Sequence, residues 1–270
     1  MFSAVIVLCA HAIMPLEATA ALPAAEDRAD GWRALFDGAS TNGWTPKIAG
    51  HTLGDDPYGT VKVEDGLLRV VYDGYDAPFK DRFMHLFYDH PFDSYDLLVE
   101  YRFNGEQVPG GPGWAWRNSG AMLHCQNPLT MTKDQAFPVS IEGQFLGGDG
   151  RHDRTTMNLC TPGTHVVMGE SLDRRHCINS NSQTYHGNQW VTAVFKVRPG
   201  HVQHYVGETL VMEYSDPQLD PNDADAEQLI TDPEHLEWNR GWISLQGESH
   251  PIDFKRVWIR HVDPKATVKD

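Results

Sequence analysis

An all-β, two-sheet β-sandwich is the fold class this sequence predicts. Short runs of alternating apolar and polar residues recur from Val61 to Val262, turns rich in Gly and Pro separate them, and no stretch sustains a helical period. With 40% hydrophobic residues among 270, the chain can bury one large core. Doubly wound and barrel α/β folds, which need a helix between successive strands, are excluded.

Residues 1–20 read as a cleavable export signal, leaving 21–270 as a single domain. The apolar run Phe2 to Met14 is too short to span a bilayer and ends at the small residues Ala18-Thr19-Ala20. Cys9 follows Leu8 and not a small residue, so it is not a lipid anchor. The expectation is an exported protein, periplasmic or secreted, with no membrane span.

The strands follow in order. Gly31 to Trp44 contains a short strand, a turn and an aromatic that closes the sandwich. Val61 to Val63 and Leu67 to Tyr72 flank Glu64-Asp65-Gly66, a turn of the Asp-Gly type that hairpins favour. Phe83 to Tyr88 comes next. In Tyr95 to Phe103, Leu97, Val99, Tyr101 and Phe103 face one way, while Leu98, Glu100 and Arg102 face the other, with Glu100 and Arg102 read as an ion pair.

The loop Gly110 to Arg117 carries two tryptophans, Trp114 and Trp116. They either stack on the C–H faces of a sugar, with Arg117 binding its oxygens, or fold back as a lid on the core. Asn118 to Gln126 places Asn118, Gly120, Met122, His124 and Gln126 on one face if the strand is unbroken, and Ala121, Leu123 and Cys125 on the other. The central stretch is Val139 to Phe145. Alternation sends Val139, Ile141 and Phe145 to a core face, and Ser140, Glu142 and Gln144 to a polar face suited either to solvent or to a polyhydroxy ligand.

Gly147 to Met168 is read as a loop. Val191 to Arg198, Val202 to Val206 and Leu210 to Tyr214 are strands, on which His201 and His204 point to opposite faces and make a poor metal pair. Asp216 to Asn239 is an acidic excursion with one helical turn at Ala226 to Ile230, and its spacing does not match an EF-hand loop. Gly241 to Gln246 and Ile252 to Val262 complete the sheets, with Trp242, Ser244 and Gln246 on one face of the first. The polar faces carried by Asn118, Glu142 and Ser244 would line one sheet if their strands adjoin.

Beyond the signal stand Cys125, Cys160 and Cys177. In an exported protein Cys160 and Cys177 form a disulfide, worth about 3 kcal/mol in chain entropy, and Cys125 is a buried thiol. The 22 basic and 37 acidic residues give a formal charge of −15, which would repel a phosphate backbone, so nucleic acid is excluded as a partner.

Five segments together resemble a known family, the DUF1080 or 3-keto-disaccharide hydrolase domain. They are Leu35-Phe36-Asp37-Gly38 with Trp44, Asn118-Ser119-Gly120, Ser140 to Gln144, Tyr185 to Trp190, and Gly241 to Gln246 running on through Glu248, His250, Pro251 and Phe254. Two positions depart from the family pattern: Asp37 stands where Asn is usual, and Val206-Gly207-Glu208 replaces an Asn-Gly turn.

The resemblance implies a concanavalin A-like jelly roll of the lectin and glucanase type, acting on a small carbohydrate, a 3-keto-glycoside or 3-keto-disaccharide. A C3 ketone acidifies the C2 proton, so a base can remove it and the C1 substituent can leave before water adds. Glu142 is the expected base and His124 the proton donor to the leaving group. Arg117 or a divalent metal would stabilise the enolate, and His124 and Glu142 are the candidate ligands of such a metal. Asn118, Gln144, Gln246, His250, Trp114, Trp116 and His186 would hold the substrate. Two other readings remain at this stage. One is direct glycoside hydrolysis, which needs a second carboxylate from Glu100 or Glu248 because Gln144 is an amide. The other is a non-catalytic carbohydrate-binding module.

Overall fold

The computed structural model describes residues 30–76 and 78–265. The expected export signal at residues 1–20 lies outside the described residues. The strands are β1 (Arg33–Ala34), β2 (Trp44–Ile48), β3 (Val61–Glu64), β4 (Leu67–Val70), β5 (Met84–Tyr88) and β6 (Tyr95–Phe103). Then come β7 (Asn118–Cys125), β8 (Ile141–Leu146), β9 (Asn158–Cys160), β10 (Thr164–Met168), β11 (Ser171–Asp173) and β12 (Cys177–Ile178). The last are β13 (Val191–Arg198), β14 (His201–Val206), β15 (Thr209–Leu219), β16 (Trp242–Gly247) and β17 (Ile252–His261).

They form two sheets. The ten-stranded sheet runs β11-β10-β15-β14-β13-β6-β17-β4-β3, with β1 paired to β17, and the seven-stranded sheet runs β12-β9-β8-β7-β16-β5-β2. Ile141, Phe145, Leu123 and Leu245 from the smaller sheet pack on Leu97, Val99, Phe195 and Val257 from the larger, and all are buried. Phe145 stacks on Tyr101 with ring centroids 4.1 Å apart. Gly143 has no side chain because the Phe195 ring fills that place: a Cβ there would lie 2.1 Å from it.

The hairpin between β3 and β4 turns at Asp65 and Gly66, both with positive φ (54° and 75°), as the Asp-Gly signal requires. Trp44 is buried and donates from Nε1 to the Leu35 carbonyl at 2.7 Å. At the first family departure, Asp37 Oδ1 accepts from the backbone N–H of Ala39 (2.8 Å) and Ser40 (2.7 Å), so the carboxylate shapes the turn itself.

Four details differ from expectation. The segment Gly147 to Met168 is not all loop, since it contains β9 and β10. Val139 leaves the main core and packs on Leu219 and Ala226, because β8 begins only at Ile141. The helical turn is α1 (Ala224–Glu227), earlier than predicted, where Asp223 caps the N–H groups of Asp225 and Ala226. Glu100 and Arg102 do not pair with each other: Arg256 lies 2.7 Å from Glu100, and Arg102 lies 2.9 Å from Asp253. Residues two apart on one strand are separated by roughly 6.6 Å of backbone, whereas cross-strand neighbours are closer.

The disulfide joins Cys160 of β9 to Cys177 of β12, and Cys125 is a buried free thiol. Among the described residues no helix is long and apolar enough to cross a membrane.

Candidate functional site

The three polar faces do adjoin. β8, β7 and β16 are consecutive in the seven-stranded sheet, and their register aligns side chains in transverse rows on the face turned away from the core. One row runs Asn158, Gln144, Gly120 through the printed pairings. Because Leu245 pairs with Ala121, Gln246 continues that row, followed by His85 and Lys47. The next row holds Cys160, Glu142, Met122 and Ser244. Gly120 has a steric role here, since a Cβ would lie 2.6 Å from Glu142 Oε1. The missing side chain lets the Glu142 carboxyl lie over β7.

Above these rows is a cavity of about 410 Å³, within the usual range for a small-molecule site. Asn118, Glu142 and Gln144 contribute from the sheet, Trp114 and Phe137 from loops, and Pro162, His176 and the Cys160–Cys177 disulfide from the side of β9 and β12. Leu146, Arg154 and Glu248 complete the lining. The disulfide is therefore part of the cavity wall.

Two acids share this space. Glu142 and Glu248 are 6% and 3% exposed. Burial pushes Glu142 up to about 8, and burial together with the neighbouring Glu142 charge pushes Glu248 well above the carboxylate range, with Arg154 pulling the other way. Like charges held close in a dry site do not both ionise readily, so the pair favours holding a proton at neutral pH. Among the described residues Glu142 Oε1, Glu248 Oε2, Asn118 Oδ1 and Gln246 Oε1 are buried without a hydrogen-bond partner. Such orphaned atoms are uncommon in a settled interior and mark a place where a polar ligand would complete the network.

Arg154 is fixed in place. Its Nη1 donates to the carbonyls of Trp116 (2.6 Å), Gly147 (3.0 Å) and Arg117 (3.2 Å), and its Nη2 to that of Trp114 (3.3 Å). The guanidinium thus ties the tryptophan loop to the end of β8 while keeping a positive charge at the cavity.

Of the residues named from sequence, Glu142, Gln144, Asn118 and Trp114 line this cavity. Gln246 lies in the same sheet row but is fully buried, with Nε2 3.5 Å from His85 Nε2. Trp116 lines a neighbouring cavity instead.

His124 does not join Glu142. It has a φ of +48°, and the β7–β16 register shifts between Trp242 and Ser244, so a bulge turns Leu123 and His124 inward in succession. The imidazole packs on Tyr95 inside the sandwich, where burial pushes it down to about 4. The same bulge moves Cys125 to the outer face beside Phe87 and Met122, opposite to the side assigned from alternation. With His124 and Glu142 on opposite faces of the sheet, the two cannot ligate one metal ion. Among the described residues no group of three or more His, Cys, Asp or Glu side chains is arranged to hold one.

Arg117 also points elsewhere, bonding the Gly187 carbonyl and Asn188 Oδ1 (3.2 Å), so it straps a loop while Arg154 faces the cavity. His250 is buried behind Trp116, with ring centroids 5.8 Å apart, and burial and the nearby Arg117 and Arg154 push it down to about 4. His186 sits on an exposed loop, where its Nδ1 accepts from the Gly150 N–H at 2.9 Å.

Sequence reasoning missed Arg154, and it named Glu248 only as a possible second acid for another mechanism. A signal for Glu248 existed: it extends the period-two series Trp242, Ser244, Gln246 by one step. Arg154 had none, because its place depends on carbonyls from remote loops.

The chain resembles solved structures that share this fold. A candidate glycosyl hydrolase from Parabacteroides distasonis is 19% identical, over 90% of this chain and 99% of its own, with a TM-score of 0.51. A second from the same organism is 16% identical, over 86% and 99%, with a TM-score of 0.50. A Bacillus licheniformis beta-glucanase is 11% identical, over 86% and 97%, with a TM-score of 0.46. No curated protein sequence matches the chain. Residues 31–260 match the 3-keto-alpha-glucoside-1,2-lyase-like domain, and by this match the chain belongs to that family.

Proposed function

We propose that the protein cleaves a glycoside whose sugar carries a ketone at C3, by elimination across C2 and C1. The observation that carries this reading is the buried acid pair, Glu142 and Glu248, facing one cavity beside the pinned charge of Arg154. Glu142, made more basic by burial, takes the C2 proton. The C2–H electron pair becomes an enolate spread onto the C3 oxygen, and the preorganised guanidinium of Arg154 stabilises that charge. The enolate then re-forms the ketone and expels the C1 substituent. The C1–O bond breaks with its electrons on the departing oxygen, which takes the proton from Glu248. The products are an unsaturated 3-keto sugar and the free leaving group. Water adding across the new double bond makes the overall reaction a hydrolysis, and release before that makes it a lyase reaction. No oxidant or reductant is required.

Trp114, 55% exposed, offers an indole face for the sugar ring, and Asn118 and Gln144 offer partners for hydroxyls. The proposal includes export, because a disulfide such as Cys160–Cys177 persists in an oxidising compartment.

The test is turnover of 3-keto-glucosides by the wild type and by Glu142→Gln and Glu248→Gln. Each variant is expected to lose roughly 10²–10⁴-fold in kcat while keeping ligand affinity in calorimetry. Turnover by Glu142→Gln within a few-fold of wild type would refute the assignment. A wild type that is inert on keto-sugars and binds plain glycans would make it a binding module.

The rate also depends on pH in a specified direction. The working state has Glu142 ionised and Glu248 protonated, so kcat/KM rises with pH through about 8 and falls again as Glu248 ionises. A profile that is flat across this range would count against the pair.

The second carboxylate also supports a competing reading, direct hydrolysis of an unmodified glycoside. Deuterium at C2 separates the two: elimination loses it to solvent, and direct hydrolysis retains it.

A further inference from the structure

Glu248 sits on a turn whose backbone is held in an uncommon shape. The link from β16 to β17 runs Glu248-Ser249-His250-Pro251, and Ser249 has a φ of +95°. A residue other than glycine reaches that region at a cost, so its surroundings must hold it there. Ser249 is fully buried. Its N–H donates to the Tyr72 hydroxyl at 2.8 Å, its carbonyl accepts from the Val108 N–H at 2.9 Å, and its Oγ accepts from Gln107 Nε2 at 2.9 Å.

Tyr72, just past β4, also meets the residue on the other side of Glu248. A Cβ on Gly247 would lie 2.9 Å from the Tyr72 hydroxyl oxygen and 2.8 Å from Val70 Cγ1, which is why glycine stands there. One phenol oxygen thus touches both residues that flank the acid. The ring is fixed in turn, edge-on to Tyr75 and Phe79 with centroids 5.0 Å and 5.8 Å away. We infer that Tyr72 and Gln107 are positioning residues for Glu248: they hold the strained turn at Ser249 that aims the acid into the cavity. The inference rests on the reading of Glu248 as proton donor to the leaving group and adds to it the device that places the donor.

Packing alone accounts for an aromatic ring at position 72, but not for its hydroxyl. A phenylalanine would fill the same space. The oxygen is needed where a buried N–H would otherwise lack an acceptor, and that N–H belongs to the residue next to the acid. Gln107 works from the opposite side: Nε2 donates also to the Pro112 carbonyl at 2.9 Å, which couples the turn to the loop carrying Trp114. Gly111 of that loop passes so close that a Cβ would lie 2.6 Å from Ser249 Oγ. Arg154 grips the same loop through the Trp114 carbonyl. Acid, indole and guanidinium are therefore fixed relative to one another.

The experiment uses two substrates. Methyl 3-keto-glucoside has an alkoxide leaving group that needs a proton, and nitrophenyl 3-keto-glucoside has a phenolate that leaves without one. In Tyr72→Phe, kcat/KM for the methyl substrate is expected to fall by about 30–100-fold and that for the nitrophenyl substrate by less than about threefold, as for an acid misplaced by about 1 Å. Gln107→Ala is expected to show the same selectivity at about 3–10-fold. Equal losses on both substrates would mean a structural role alone, and wild-type rates on both would mean no role; either overturns the inference for that residue. Should Tyr72→Phe fail to fold by circular dichroism, Gln107→Ala, altered on a loop, decides for the turn. Glu248→Gln is the control for the underlying reading. If it shows no such selectivity, or the wild type turns over neither substrate, the catalytic role of Glu248 has failed, and the positioning is judged without turnover. Carbon NMR of glutamate-labelled protein then follows the carboxyl resonance that disappears in Glu248→Gln. Glu142 and Arg154, which also face Glu248, are unchanged in both variants. The resonance is expected to titrate at lower pH in the folded variant than in wild type, because a loosened turn admits water to the carboxyl; an unchanged midpoint overturns the inference.

Discussion

At the scale of single residues, the site depends on an absent side chain as much as on the acids. Gly120 leaves the space into which the Glu142 carboxyl folds, with the nearest approach of a Cβ being 2.6 Å to Oε1. Gly120→Ala would push the carboxyl aside without altering its chemistry. A displacement of about 1 Å in a catalytic group costs on the order of 10²-fold, so kcat is expected to fall by that order while the melting temperature shifts little. Steady-state kinetics beside thermal denaturation check this, and a variant with wild-type kcat would show that Glu142 is not the base. The same carboxyl has a stability consequence whose sign is set by its raised pKa. At low pH it is protonated in both folded and unfolded chains and makes no difference. As pH rises from the ordinary value of 4.5 toward about 8, the unfolded chain releases the proton and the folded one retains it, so stability is lost over that window. Glu142→Gln removes this loss. Its melting temperature is expected to match wild type near about pH 5 and to exceed it progressively toward about pH 8, in parallel scans of the two proteins.

At the scale of elements, one bulge decides which side chains can meet. Asn118, Gly120 and Met122 follow the period of two, and then His124 takes a left-handed conformation and is turned into the core. The bulge is held from the neighbouring segment: Trp238 donates to the His124 carbonyl, and Gly241 passes so close that a Cβ would lie 2.3 Å from the Cys125 carbonyl oxygen. His124→Asn, which tolerates positive φ, is therefore expected to keep kcat/KM within about twofold and to lose stability through the cavity it leaves. A general acid would instead lose two or more orders of magnitude. This bulge also explains the limits of the sequence reading. The strand pattern, the Asp-Gly hairpin, the disulfide and the common face of Glu142 and Gln144 were legible, because each rests on local period or spacing, whereas the pairing of β7 with β8 that brings Asn118 beside them was not. The fates of His124, Arg117 and Arg154 were not, since each is set by backbone carbonyls or packing partners far away in the chain. The disulfide is a further element with two roles. Cys160→Ser with Cys177→Ser is expected to cost about 3 kcal/mol and to raise KM, because His176 and β12 form one wall of the cavity. Denaturant melts and kinetics on the same preparation separate the two effects.

At the scale of the whole molecule, the two sheets divide the work. The outward face of the seven-stranded sheet carries the cavity and its acids, and the outward face of the ten-stranded sheet carries cross-strand ion pairs. Arg69, Asp253 and Arg102 are directly opposite one another on β4, β17 and β6, and the Asp253 carboxylate accepts from Arg69 at 3.0 Å and lies 2.9 Å from Arg102 Nη2. Asp96 is held in the same way, by Arg198 at 2.8 Å and by Arg260. Asp253 is 1% exposed, while the side chains of Arg69 and Arg102 are 27% and 32% exposed and Arg69 keeps Glu64 at 2.8 Å, so Asp253 supplies charge-assisted hydrogen bonds worth about 1.5–3 kcal/mol. It is also only a few residues along the chain from Glu248, with β16 and β17 belonging to different sheets. Sheets packed face to face lie about 10 Å apart, and that thickness insulates the chemistry from the charge row. Asp253→Ala is accordingly expected to lower the unfolding free energy by that amount in urea titration, while kcat per folded molecule, measured well below the transition, stays at the wild-type value. A fall in kcat without a fall in stability would mean that the ion-pair face positions Glu248 through the intervening segment, and that the two faces act together.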